Sequence, residues 1–272
     1  IAAVIASAGY ILCLPDYIGY GSSQGVQHAY EHRQSLAVAS RDMLRAGYEY
    51  LKTNSENFHN GKLFLTGYSE GGFATMAMFK LIEENHSNEF QITAVSVGAG
   101  AYNKTAFAKY LVNTSELQTY INSFVWVLMT YNSVYSTLNH PMSYYFNSPF
   151  DQLLQNNGPF VNLESNPQLL FTQNFLEGVK NDTETGFLNA LADNDCYNWK
   201  PVAPLKLYHG TNDDYVPYFN SETAYEAMHA LGGNVELVPI SGGSHSTSVE
   251  TYLTGTLFWF QSLSHPAVSQ IK

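Results

Sequence analysis

The sequence predicts an α/β protein: a mostly parallel sheet flanked by helices, with a helical cap inserted into it. Three observations carry this. Strand-length apolar runs alternate with helix-spaced segments up to about residue 102 and again from about 201. Between those limits the alternation stops, and Asn-rich turns and helical segments dense in aromatics take over. The stretch 63–80, LFLTGYSEGGFATMAMFK, joins an apolar run to a helix-patterned one through Gly67-Tyr68-Ser69-Glu70-Gly71. Residues 1–102 and 201–272 are therefore read as the core and 103–200 as the cap. An aromatic stripe at helical spacing is ordinarily packing, so more core is the alternative for 103–200. The return of the α/β pattern afterwards favours an insertion.

In chain order, 2–8 reads as a small-residue helix end closed by Gly9. Residues 10–14 read as a short, continuously apolar strand of the kind buried on both faces of a parallel sheet. Pro15 to Ser23 form a glycine-punctuated loop. Leu36, Ala39, Met43, Leu44, Gly47 and Leu51 recur at helical spacing across 31–51. Leu63, Phe64 and Leu65 open the next strand, and Phe73, Met76, Ala77 and Lys80 pattern a helix to about 84. A strand at 91–97 ends in Gly98-Ala99-Gly100. Inside the cap, helical segments fall at 116–131, 149–156, 167–179 and 184–192. The core resumes with a strand at 204–209, a helix at 221–231 stopped by Gly232-Gly233, and a strand at 235–240. A closing helix at 247–263 carries Leu253, Leu257 and Phe260 on one face.

The 272 residues are 45% hydrophobic and 13% charged, enough for one large core or a core with an inserted subdomain. A formal net charge of −11 argues against a nucleic-acid partner, which calls for basic patches, and against anionic membrane surfaces. Cys13 and Cys196 are too few for a disulfide framework and have no C-x-x-C spacing, so both are expected as buried thiols. His28, His32, His59, His86, His140, His229 and His265 show no metal-ligand spacing, and neither a metal nor an organic cofactor is expected. Residues 1–14 lack the basic start of a secretory leader, flow directly into PDYIGYG and are too short to cross a membrane. No later stretch reaches that length, so no stable membrane insertion is expected. The chain is read as beginning inside a domain.

A serine between a strand and a helix in G-x-S-x-G sits at a sharp, strained turn where its hydroxyl can act as a nucleophile. Gly67 and Gly71 are expected to remove side chains that would collide two residues either side of Ser69, and Gly72 to let the helix sit close to its strand. The helix N-terminus aims partial positive charge where an oxyanion would form. In a chain with 20 Gly, a glycine-rich turn without chemistry is the alternative. The partners weigh against it. An acyl-transfer serine needs a base to take its proton and a carboxylate to orient that base. Asp213 follows the strand at 204–209, and His245 follows the next one. Asp214 is adjacent to Asp213, and one loop is not expected to point both at His245.

Together these segments resemble the α/β-hydrolase superfamily and, within it, lipase-like esterases with a helical cap such as the secretory lipases. PDYIGYGSS is similar to the family's P-D-x-x-G-x-G-x-S loop and YHGTNDDYVP to its H-G-x-x-D-x-x-V-P segment; LTGYSEGG and the GGSH loop complete the match. The resemblance implies Ser69 as nucleophile, Asp213 as acid and His245 as base, in the superfamily's chain order. It implies the Glu70 backbone N–H as one oxyanion donor. It also implies strands ahead of 10–14 and a second donor from a loop after the third strand. No such loop precedes residue 1, so the N-terminal strands are read as absent from the chain, and only the Glu70 N–H is assigned. A secreted or periplasmic location is a further implication.

The expected function is a serine hydrolase that cleaves small-molecule carboxylic esters, neutral and hydrophobic with short-to-medium acyl groups, through an acyl-enzyme on Ser69. The cap, with about a dozen large aromatics and few Lys or Arg, is expected to return over the mouth of the site. A serine peptidase of the same fold is one alternative. A non-catalytic ligand-binding protein on a truncated hydrolase scaffold is another, though a binding role gives no reason to keep all three residues. Glu70 is read as an acid favourable to the helix dipole, Asp16 as a partner for loop amides behind the site, and His209 as structural. Asn85, Asn103, Asn113 and Asn181 fit the N-glycosylation pattern.

Overall fold

The computed structural model describes residues 2–54 and 59–264; His265, one of the scattered histidines, lies outside them. The elements in chain order are α1 (Ala2–Ser7), a 3-10 turn (Gly21–Ser23), α2 (Arg33–Asn54), β1 (Leu63–Tyr68), α3 (Glu70–Asn85), β2 (Ile92–Gly98) and α4 (Lys104–Asn113). Then come α5 (Ile121–Val134), α6 (Met142–Tyr145), α7 (Phe150–Asn157), α8 (Pro167–Leu170), α9 (Gln173–Lys180) and α10 (Thr185–Asn194). The chain closes with β3 (Leu205–Gly210), α11 (Phe219–Ala230), β4 (Val235–Ile240) and α12 (Val249–Ser264). Two compact units result. One comprises Ile1–Val26, Gln34–Tyr102 and Cys196–Lys272; the other comprises Gln27–Arg33 and Asn103–Asp195.

In the first unit the four strands lie in the order β1-β2-β3-β4, every pair parallel. Leu65 pairs with Val95, Val95 with Leu205, and Leu205 with Val235, so the strands' carboxyl ends fall on one edge, at Tyr68 and Gly98 and, two residues further on, at Gly210 and Ile240. That edge is where open parallel sheets keep their sites. The core joins Leu36 and Leu44 of α2, Phe73, Met76, Phe79 and Ile82 of α3, Val95 and Val97 of β2, and Met228 of α11. On α12 the buried stripe is Tyr252-Thr256-Phe260, with Leu253 and Leu257 half-buried beside it. A threonine fits there because its hydroxyl bonds the buried Ser96 Oγ at 2.6 Å.

Residues 10–14 do not form the expected strand. An apolar run becomes a strand only by pairing, and none of the four strands pairs with it; Ile11 and Leu14 are 52% and 61% exposed. Cys13 is half-buried, not buried, and packs where Gly47 of α2 leaves room, whereas Cys196 is fully buried.

The second unit is all helical and has its own core, including Val125, Leu128, Tyr131, Tyr145, Phe146 and Leu176. Two features escaped the pattern reading. α4 follows directly from the glycine-rich end of β2, capped by Asn103, whose side chain accepts from the Ala106 N–H at 3.0 Å. The segment at 167–179 is two helices, because Phe171 turns extended to bridge Phe146 and Thr172 then caps α9. Each cation of this unit meets a carboxylate of the same unit: Arg33 with Asp193, Lys104 with Glu31, Lys109 with Asp182 and Lys180 with Glu177. The Lys104–Glu31 pair is almost entirely out of solvent.

Candidate active site

β1 delivers the chain to Ser69 with φ 58° and ψ −124°, a backbone conformation that a side-chain-bearing residue keeps only when its surroundings hold it. Two hydrogen bonds do so. The Ser69 N–H donates to the Gly98 carbonyl at 2.9 Å, and the Ser69 carbonyl accepts from the Phe73 N–H at 3.0 Å. A Cβ on Gly67 would be driven into the Gly71 carbonyl and to 2.6 Å from Thr75 Oγ1, so only glycine fits. A Cβ on Gly72 would stand 2.6 Å from the Gly98 carbonyl, so this glycine sets how near α3 comes to β2. The expectation for Gly71 is not met. A Cβ there meets nothing within 4 Å, because the helix has already turned that position outward.

Asp213 and His245 follow β3 and β4; His245 comes to Ser69, and Asp213 to His245. His245 Nε2 lies 2.9 Å from Ser69 Oγ, and His245 Nδ1 lies 2.8 Å from Asp213 Oδ2. The Asp213 side chain is wholly buried. Its Oδ1 accepts from the backbone N–H groups of Tyr215 at 2.9 Å and Val216 at 2.8 Å, so the loop curls around its own carboxylate. Burial alone would raise this carboxyl; hydrogen bonds from His209 and His245, with the charge those rings can carry, overcome it and hold Asp213 well below the usual range.

Asp214 also reaches His245, contrary to expectation, but at a different atom: its Oδ1 accepts from the His245 backbone N–H at 3.3 Å. The Tyr68 hydroxyl donates to the His245 carbonyl at 2.6 Å. The Tyr68 and Tyr215 rings flank the imidazole at centroid distances of 5.3 and 4.9 Å. Burial, then the Asp213 charge, pushes the Tyr68 hydroxyl well above its ordinary pKa, so it remains a donor. His209, read as structural, is completely buried and touches Asp213. Its signal was its place four residues before Asp213 in H-G-x-x-D; Tyr68 occupies an unconstrained position of G-x-S-x-G and gave none.

Glu70 opens α3, with its backbone N–H at the helix's positive end beside Ser69. Its carboxylate charge acts on Tyr17 and Tyr20 of the glycine-rich loop; burial first and this charge second push Tyr17 up to about 12. Asp16 is exposed and packs against the backbone of Gly21, where φ is 55°. Among the described residues no three His, Cys, Asp or Glu side chains are grouped to hold a metal ion. A cavity of about 550 Å³, lined by Tyr10, Cys13, Tyr48, Phe64 and Phe260 among others, includes none of Ser69, Asp213 and His245.

The arrangement can move a proton along one line. With Nδ1–H directed at Asp213, the Nε2 lone pair of His245 faces the Ser69 hydroxyl.

A parallel sheet that carries serine, aspartate and histidine in the loops beyond its carboxyl ends defines an α/β-hydrolase. The chain belongs to the secretory lipase family, whose profile matches residues 1–264. It is 22% identical over 258 residues to a secreted triacylglycerol lipase of Malassezia furfur, a match covering 93% of this chain and 53% of that protein. The chain thus spans about half the length of that curated relative. Among solved structures, a putative hydrolase of Legionella pneumophila superposes with a TM-score of 0.79 at 27% identity, covering 96% of this chain and 71% of the other. The rice cell wall degrading esterase LipA of Xanthomonas oryzae superposes with a TM-score of 0.76 at 25% identity, covering 91% and 69%. Candida antarctica lipase A shares the fold, with a TM-score of 0.68 at 18% identity over 88% of this chain and 57% of its own. Among the described residues no helix is long and apolar enough to cross a membrane.

Proposed function

We propose that the protein hydrolyses carboxylic esters through an acyl-enzyme on Ser69. The observation that carries this is the relay from Ser69 Oγ through His245 to Asp213, with contacts of 2.9 and 2.8 Å. Membership in the secretory lipase family supports ester hydrolysis, and so do the activities named for the Malassezia and Xanthomonas relatives. A secreted location belongs to the same reading.

In this mechanism Ser69 Oγ attacks the ester carbonyl carbon as its proton passes to His245 Nε2. Asp213 stabilises the imidazolium, and the Glu70 N–H donates to the oxyanion. Collapse expels the alcohol, which takes the proton from Nε2. A water then attacks the acyl carbon and gives a proton to Nε2; collapse releases the carboxylic acid and returns the proton to Ser69.

The substrate class is neutral, hydrophobic esters of short-to-medium acyl length. It rests on the sequence of residues 103–200, rich in large aromatics and poor in Lys and Arg. The deciding experiment is covalent labelling by a fluorophosphonate together with ester turnover. Ser69→Ala should lose both while its circular dichroism is unchanged; a folded Ser69→Ala protein with undiminished esterase activity overturns the assignment.

A further inference from the structure

We propose that His209 is a positioning residue, which with Ser221 fixes the Asp213 carboxylate that orients His245. This rests on the Ser69–His245–Asp213 reading and extends it inward to a second histidine.

His209 is the fifth residue of β3 and Ser221 the third of α11; both are completely buried. His209 Nε2 stands 2.8 Å from the Val216 carbonyl, which can only accept, so Nε2 carries a proton. The same Nε2 stands 3.3 Å from Asp213 Oδ2, the oxygen that also meets His245 Nδ1. The proton of His209 is therefore shared between the loop's backbone and the carboxylate. On the far side of the ring, Nδ1 lies 2.7 Å from Ser221 Oγ. In a neutral ring the Ser221 hydroxyl donates there and holds the tautomer that keeps the proton on Nε2.

Sterics alone would not call for this arrangement. A buried strand end is ordinarily filled by an apolar side chain, and burying an imidazole is costly unless both nitrogens are satisfied. Here both are, and one of the partners is the acid of the relay. Asp213 accepts from two backbone N–H groups on Oδ1 and from two histidines on Oδ2. Of these, the contact with His209 is the one that a side-chain change can remove without touching His245 or the backbone N–H groups on Oδ1, although the Nε2 contact with the Val216 carbonyl goes with it. Removing it leaves His245, among the described residues, as the side chain in contact with Oδ2. An anion less satisfied elsewhere holds the imidazolium of His245 more tightly, so the acidic limb of activity moves to higher pH.

The experiment compares His209→Leu, which fills the space without a donor, with His209→Gln, whose amide N–H can stand near the position of Nε2. Steady-state p-nitrophenyl ester hydrolysis is followed across pH, with thermal melting as the check on folding. Folded His209→Leu should lose about 10- to 100-fold in kcat, the range for a hydrogen bond to a charged, positioned group, with KM changed less than about threefold. The acidic limb of its kcat/KM profile should move up, and His209→Gln should recover most of kcat and return the limb. Ser221→Ala, which spares the histidine, should show a smaller loss of the same kind and serves if His209→Leu does not fold. A uniform loss with an unmoved limb, or no rescue by glutamine, or a Ser221→Ala profile identical to the parent when His209→Leu is unfolded, overturns the proposal. Ser69→Ala is assayed alongside: activity retained there defeats the serine-hydrolase reading itself, whereas its loss there leaves the His209 outcome to be judged alone.

Discussion

The hydroxyl of Tyr68, the residue just before the candidate nucleophile, donates to the backbone carbonyl of His245 at 2.6 Å. The turn that holds Ser69 and the loop that holds His245 are thereby tied together by a bond that neither the Ser69 nor the His245 side chain makes. Ser69 Oγ and His245 Nε2, carried by that turn and that loop, stand 2.9 Å apart. Tyr68→Phe keeps the ring against the imidazole and removes only the bond. A neutral hydrogen bond of this kind is worth about 1 kcal/mol, so kcat should fall about 3- to 10-fold with KM unchanged. Parallel kcat and KM measurements check this, and a change confined to KM would count against the positioning role.

Asp213 and Asp214 both touch His245, one at the ring and one at the backbone N–H, and they separate cleanly on mutation. Asp213→Asn should cost about 10⁴-fold in kcat, because an amide facing Nδ1 favours the wrong tautomer. Asp214→Asn keeps an acceptor oxygen for the backbone and should stay within a few fold of the parent. Asp213 also gives a signature in acid. The folded-state pKa of Asp213 is depressed, so its stabilising effect is complete above the ordinary carboxylate range and is lost as pH falls toward the folded value. The stability gap between parent and Asp213→Asn should therefore shrink as pH drops below about 4. Denaturant melts at neutral and acid pH test it; a gap that widens in acid contradicts the sign.

Gly67 and Gly71 look equivalent in the motif and are not equivalent in space. Gly67→Ala would force a methyl into the Gly71 carbonyl, and overpacking against backbone costs about 1–3 kcal/mol; it should also disturb Ser69 enough to lower activity steeply. Gly71→Ala meets open space within a helix, where alanine is favoured over glycine by about 0.8–1.0 kcal/mol, so stability should hold or rise. Melting temperatures of the two variants decide the matter, and equal destabilisation would show that the helix turn differs from that described.

The contrast explains which features were legible in the sequence. Ser69, Asp213 and His245 could be picked out because each follows a strand and obeys a short spacing rule, and strand ends are where backbone geometry alone fixes position. The parallel sheet was legible for the same reason: strands and helices of ordinary length alternated. Tyr68 was hidden because the motif leaves its side chain undetermined; His209 was marked by its place in H-G-x-x-D, but its contact with Asp213 exists only once 213–216 curls back on itself. The tight-turn rule misassigned Gly71, since spacing says nothing about which way a helix has rotated. Residues 10–14 looked like a strand because hydrophobicity is local, whereas pairing is not. The break at Phe171 arises from a bridge to Phe146, a partner distant in sequence.

Acyl preference gives the last prediction. Each methylene buried by a substrate contributes about 0.8 kcal/mol, roughly a fourfold gain, so kcat/KM across p-nitrophenyl esters should climb with chain length until the available apolar surface is used and then fall. On the reading of a neutral, hydrophobic substrate, a carboxylate at the far end of the acyl chain should cost activity. It loses its own hydration and finds no countercharge, which is expensive in apolar surroundings. Methyl-terminated esters should therefore exceed the matching ω-carboxylate esters by at least about tenfold, a difference of about 1.4 kcal/mol. A dipeptide amide run in the same series separates ester from peptide chemistry, and a chelator arm tests the metal-free mechanism. A flat acyl profile with strong amide cleavage would replace the esterase proposal by peptidase chemistry. Loss of activity on chelation would remove the relay from Ser69 to Asp213 as a sufficient account of catalysis.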